Sequence, residues 1–192
     1  MEELKKQFER GVADRFFNCL KYQGGPSFSF SRAGERPDLV YVNGAYELPI
    51  EITEACFDNK QTEFLWRLAR GPEDPDLCLV SVGNPDEALA NSIVKRVHTK
   101  CRKGYDEKTI LLIKVPPGHT TAENLEKLLV QKKQDFPPVI PLQGVYVTGR
   151  FPLQGDGSDG YRMFAIKENW PLRKADKWMS LHLSPSDEAA LS

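Results

Sequence analysis

Apolar residues return along this chain at two intervals, and the change from one to the other marks out its elements. Leu4, Phe8, Val12, Phe16 and Leu20 recur four apart, predicting a helix over residues 2–20 with charged residues on its remaining surface. Gly24-Gly25-Pro26 breaks that pattern, and residues 27–31 read as a short edge strand. From Asp38 onward the interval falls to two. Two alternating runs flank Asn43-Gly44, the dipeptide suited to a two-residue type I′ turn, and together they predict a hairpin over residues 36–54. In that register Val42 faces Ala45 and Asp38 faces Pro49, with Glu51 as the diagonal neighbour of Asp38. Alternation places Leu39, Tyr41, Tyr46, Leu48, Ile50 and Ile52 on one face, and Asp38, Glu47, Pro49, Glu51 and Thr53 on the other.

Further along, residues 61–70 predict a helix with Phe64, Leu65 and Leu68 inward, and 76–82 a buried strand. Asn84-Pro85-Asp86-Glu87 combines an N-cap residue, a proline at the first helical position and acids in the first turn, opening a helix from 85 to about 103. Residues 109–115 form an apolar run of central-strand character, stopped by Pro116-Pro117. Thr120-Thr121-Ala122-Glu123 has the capping-box pattern and leads into a helix through Leu125, Leu128 and Leu129. Residues 144–149 and 161–167 predict two more strands. The acids of the intervening stretch 155–160 are too few and wrongly spaced for a calcium loop, so it reads as a turn. From about 170 onward Pro171, Pro185 and scattered polar residues leave a tail without a pattern. The alternation of helices and strands implies an α/β sandwich around a mixed sheet, with residues 1–192 as one domain.

Composition narrows the class without choosing a function. An apolar content of 40% beside 28% charged residues is that of a soluble globular protein, and no apolar run reaches the roughly 18 residues of a membrane span. The start, Met1-Glu2-Glu3-Leu4-Lys5-Lys6, lacks the apolar core of a secretion signal, so a cytoplasmic protein with no membrane partner is expected. Cys19, Cys56, Cys78 and Cys101 are too widely spaced for a zinc motif, and reduced thiols are expected. A net charge of −1 gives no overall attraction to nucleic acid, so any such binding must come from a local patch. Lys95, Arg96, Lys100, Arg102 and Lys103 supply one near the end of the helix from 85, where a solvated face complementing the helix dipole is the alternative.

Two features carry chemistry. Diagonal partners in a hairpin lie roughly 7–8 Å apart, so the carboxylates of Asp38 and Glu51 are placed to converge on one cation, or else form a solvated polar face. Lys100 shares a helical stripe with Ile93, Val97, Cys101 and Gly104, where a lysine either snorkels to water or needs a carboxylate partner. Neither His98 nor His119 lies in a ligand-like cluster.

Pro37-Asp38 at the start of one strand and Glu51-Ile52-Thr53 near the end of the next resemble the PD-(D/E)XK, restriction-endonuclease-like nuclease superfamily. Thr53 stands where that pattern has lysine. The stretch from Val97 to Tyr105, followed by Ile110-Leu111-Leu112-Ile113, is similar to a subgroup with Glu-(hydrophobic)-Thr in place of the usual triplet and a lysine on a helix. The resemblance covers roughly residues 1–115. It implies a mixed sheet flanked by helices and a magnesium-dependent nuclease cutting phosphodiester bonds of DNA or RNA. Asp38, Glu51 and the Ile52 carbonyl would be the metal ligands, with Lys100 positioning water or stabilising charge. The resemblance also makes Glu9 and Glu35 candidates for a third carboxylate, each with surface placement as the simpler expectation. Lys95, Arg96, Arg102 and Lys103 would contact nucleic acid, DNA before RNA, and a homodimer stays open. The alternative is a catalytically silent member of the fold that binds nucleic acid or a protein partner, and Thr53 is the feature that favours it.

Overall fold

The computed structural model describes residues 2–22, 25–56, 84–117, 120–152 and 159–168. The helix expected over 61–70, the strand over 76–82, most of the turn 155–160, His119, Cys78 and the tail from about 170 lie outside the described residues. Within them the elements are helix α1 (Glu2–Tyr22), strands β1 (Ser29–Ala33), β2 (Leu39–Asn43) and β3 (Tyr46–Glu54), helix α2 (Pro85–Cys101), β4 (Ile110–Lys114), helix α3 (Ala122–Gln131), β5 (Gly144–Pro152) and β6 (Asp159–Glu168). The strands form one six-stranded sheet in chain order. β3, β4 and β5 run parallel to one another, while β1, β2 and β6 are antiparallel to their neighbours. This is an α/β architecture, a mixed sheet flanked by helices, consistent at this coarse level with a restriction-endonuclease-like fold.

Each face of the sheet buries its own core. On one side α1 places Val12, Phe16, Phe17 and Leu20 against Leu39, Tyr41, Leu48, Ile50 and Ile52 of the hairpin and Ile110 and Leu112 of β4. Aromatic rings fix that contact, with the centroids of Phe17 and Tyr41 4.2 Å apart. On the other side α2 and α3 cover Leu111, Ile113, Val145, Val147 and Phe164. Ile110, Leu111, Leu112 and Ile113 are all fully buried, as the unbroken apolar run of a strand covered on both faces requires. Leu4 departs from its expected place on the inner stripe of α1 and is 60% exposed, because the buried residues of this helix begin further along it.

The hairpin keeps its expected faces but not its expected register. Asn43 pairs with Tyr46, Val42 with Glu47 and Val40 with Pro49, so the turn is Gly44-Ala45 and the pairing has moved by two residues. A type I′ turn on Asn43-Gly44 is replaced by one with a single left-handed residue, Gly44 at φ +58, and an ordinary φ at Ala45. That is the sign pattern of a type II′ turn, which asks for glycine at its first central position and no positive φ of an alanine. A shift of two restores every side chain to its original face. It also carries the end of β3 further along β2, so that Asp38 lies level with Glu51 rather than with Pro49. The helix caps differ from expectation at one point as well. Asn84 caps α2 as read, but Thr121, not Thr120, caps α3 by accepting from the Asn124 amide at 3.2 Å. Glu123 is drawn instead into an ion pair with Arg162 at 2.7 Å.

Candidate active site

The site lies where the far end of the hairpin meets α2, and backbone geometry presets most of it. Asp38 is clamped from two sides. Its carbonyl accepts from the Gly34 amide at 2.9 Å, and its Oδ2 accepts from the Ile52 amide at 2.8 Å. The carboxylate of Asp38 is thereby tied to the strand that carries Glu51. Ile52 sends its side chain into the α1 core and its backbone into the site.

Glu51 faces α2, and its side chain is 5% exposed. Lys100, held inward by Ile93 and Val97 on the same helix, donates to Glu51 Oε1 at 2.5 Å. After α2 the chain turns at Gly104, whose φ of +64 is left-handed, and brings Tyr105 back to donate to the same oxygen at 2.7 Å. The second oxygen, Glu51 Oε2, is buried and has no hydrogen-bond partner. A carboxylate with both donors on one oxygen and a bare, buried second oxygen is unfinished by the usual accounting of buried polar atoms.

Other charges gather round. Glu9 of α1, expected on the surface, is 6% exposed and paired with Lys5 at 3.3 Å. The Lys5 ammonium is pushed above its ordinary pKa by Glu9 and, more weakly, by Asp38 and Glu51, so all three acids act on this one cation. Burial raises the Asp38 carboxyl from 3.8 to about 6. The Ile52 amide pulls it down, while Glu51 and Glu9 push it up and Lys100 pulls it back. Burial and the bond to Glu51 push the Tyr105 hydroxyl well above its ordinary range, so it remains a proton donor at neutral pH. Glu35 is exposed.

The structure thus brings Asp38, Glu51, Ile52 and Lys100 together. It leaves Lys95, Arg96, Arg102 and Lys103 exposed on and just beyond α2, and none of them bonds to a residue of the cluster. Tyr105 enters the sequence reading only as the tyrosine that follows the helix lysine in the subgroup pattern, without a role; the structure gives it one, as a donor to Glu51. His98 bonds the Asp135 carbonyl at 2.7 Å, a structural use. Among the described residues no three His, Cys, Asp or Glu side chains converge as a metal-holding group. The expected donor set is smaller, two carboxylates and a carbonyl. Its hard oxygens, one of them buried and unpartnered, fit a divalent cation such as magnesium. Compared with protein-family models and with curated proteins, the sequence matches none of them.

Proposed function

We propose that this protein is a metal-dependent nuclease that hydrolyses phosphodiester bonds of nucleic acid, DNA before RNA. The observation that carries the reading is the state of Glu51: one oxygen saturated by Lys100 and Tyr105, the other buried and bare, with Asp38 tied to the same strand through the Ile52 amide. Asp38, Glu51 and the Ile52 carbonyl would hold magnesium, which when bound supplies Lewis acidity to water and to the scissile phosphate. The chain's own residues prepare the place. Tyr105 and Lys100 lock the rotamer of Glu51, the Ile52 amide locks Asp38, and burial keeps bulk water from competing for either carboxylate. Lys100 also sets a positive charge at the cluster, the task that the resemblance gives to the lysine replaced by Thr53. The ammonium is supplied from α2, across the sheet face, instead of from β3 itself.

A second reading, a silent nuclease fold that binds nucleic acid or a protein partner, is favoured by Thr53 and by the small count of carboxylates at the site. Cleavage of single- and double-stranded DNA and RNA with magnesium separates the two. Product is expected from the native chain, and at least a 100-fold loss from Asp38→Ala and from Glu51→Ala, on the order that electrostatic groups at active sites contribute. Cleavage that survives both substitutions would refute the assignment. Its absence from the native chain on every substrate would favour the silent fold.

A further inference from the structure

Arg36 stands two residues before Asp38, exposed, with its guanidinium carbon 4.9 Å from the centroid of the Tyr105 ring. Arg32, Arg10 and Arg162 are each bound to a carboxylate, of Glu47, Asp14 and Glu123, and Arg15 lies over the Tyr161 ring away from this cluster. Arg36 has no ion pair among the described residues and is held by an aromatic face instead. A guanidinium held over an aromatic face and paired with no carboxylate has N–H groups to offer, and its planar fork matches the paired oxygens of a phosphate. The same ring, through its hydroxyl, donates to Glu51 Oε1 at 2.7 Å. One tyrosine therefore links an unpaired cation at the rim to the buried carboxylate within.

A phosphodiester approaching Asp38 and Glu51 meets two carboxylates of its own sign, and needs positive charge at the rim to come near. Lys100 is spent on Glu51 and Lys5 on Glu9, while Lys95, Arg96, Arg102 and Lys103 are exposed on and just beyond α2. We propose that Arg36 is the residue that grips the nucleic-acid backbone at this site, binding a phosphate through its N–H edge while Tyr105 holds it in place beside Glu51. The inference takes its substrate class from the nuclease reading, but it concerns binding and is read without cleavage.

The test is fluorescence anisotropy of labelled single- and double-stranded DNA and RNA oligonucleotides, titrated with the full chain in EDTA. Cleavage of the same oligonucleotides in magnesium is followed separately. Arg36→Ala is expected to weaken binding by about ten-fold or more, as loss of charged hydrogen bonds does, and to lower the salt slope by about one phosphate contact. Arg36→Lys, which keeps the charge but not the planar fork, recovers only part of the affinity. Tyr105→Leu, which removes the ring, costs about three-fold. Because Arg36 is exposed, unchanged thermal melting is expected of both its variants. Binding by Arg36→Ala equal to that of the native chain overturns the inference, as does a native chain that binds none of the oligonucleotides. Binding that depends on Arg36 without any cleavage leaves the inference standing and sinks the nuclease reading instead.

Discussion

Strand β3 carries two glutamate–lysine pairs three residues apart, and alternation sets them on opposite faces of the sheet. Glu54 meets Lys114 at 3.4 Å, with side chains 22% and 27% exposed, and the ammonium also lies 4.0 Å from the centroid of Phe8. Glu51 meets Lys100 at 2.5 Å, with side chains 5% and 12% exposed. The first pair has water at hand and costs the fold little. The second has given up water, and a stabilising role would predict that its donors be shared across both carboxylate oxygens. They are not, since Lys100 and Tyr105 crowd one oxygen and leave the other bare. Buried ion pairs return little net stability, so the same two residue types weigh differently on the fold in the two places. What separates the pairs is the helix above them. α2 seals Glu51 with an inward lysine, whereas Lys114 and Glu54 are register partners at the end of the parallel ladder.

The sharpest way to break this comparison is to neutralise each lysine. Lys100→Met leaves a buried carboxylate with one donor, and is expected to destabilise the fold by about 3 kcal/mol in urea unfolding and to abolish cleavage. A cleavage rate that survived it would end the active-site reading. Next in size is Asp38→Asn, which keeps an acceptor for the Ile52 amide and removes a charge the fold disfavours. The Asp38 carboxyl titrates at about 6 in the folded chain against an ordinary 3.8. Between those values the folded state keeps a proton that the unfolded chain has released, so metal-free stability falls as pH rises from about 4 to about 6 and is level above. Asp38→Asn should flatten that slope and add on the order of 2 kcal/mol at pH 7.5, measured by chemical unfolding in EDTA. Magnesium should raise the melting temperature of the native chain at that pH, and raise it less in the variant. Tyr105→Phe loses one hydrogen bond to a charged oxygen, worth about 1.5 kcal/mol, and should slow cleavage with the ring still in place. Smallest of all, Lys114→Met should cost less than about 1 kcal/mol and leave cleavage unaltered. A Lys114→Met penalty as large as that of Lys100→Met would erase the distinction between the two pairs.

The faces of the hairpin and the cap of α2 were legible because both are written in local terms: alternation for one, Asn-Pro-acid-acid for the other. The inward aim of Lys100 was legible too, since its stripe is shared with Ile93 and Val97. The exact pairing in the hairpin was not. Asn43-Gly44 is the better turn in isolation, and the choice of Gly44-Ala45 is made by the rest of the sheet. Nor did α1 reveal that its usable inner stripe starts after Leu4, or that Glu9 is buried. Both depend on where the helix lies over the sheet, and spacing along one helix says nothing of that. The saturation of Glu51 through Tyr105 was invisible for a related reason, since it joins residues 54 positions apart through a glycine turn.

Those separations have a consequence for the order of events on the ribosome. Lys100 and Tyr105 reach Glu51 across 49 and 54 residues, and the parallel pairing of β4 with β3 closes the same stretch of chain. Long-range parallel pairing is among the slower steps of folding, because the intervening chain must be closed before any contact rewards it. The hairpin with both acids therefore leaves the ribosome well ahead of the lysine and tyrosine. A chain interrupted before residue 100 has carboxylates but neither Lys100 nor Tyr105 to orient them. The cluster around Glu51 is therefore complete only after the chain beyond Tyr105 has been made and the parallel core has closed.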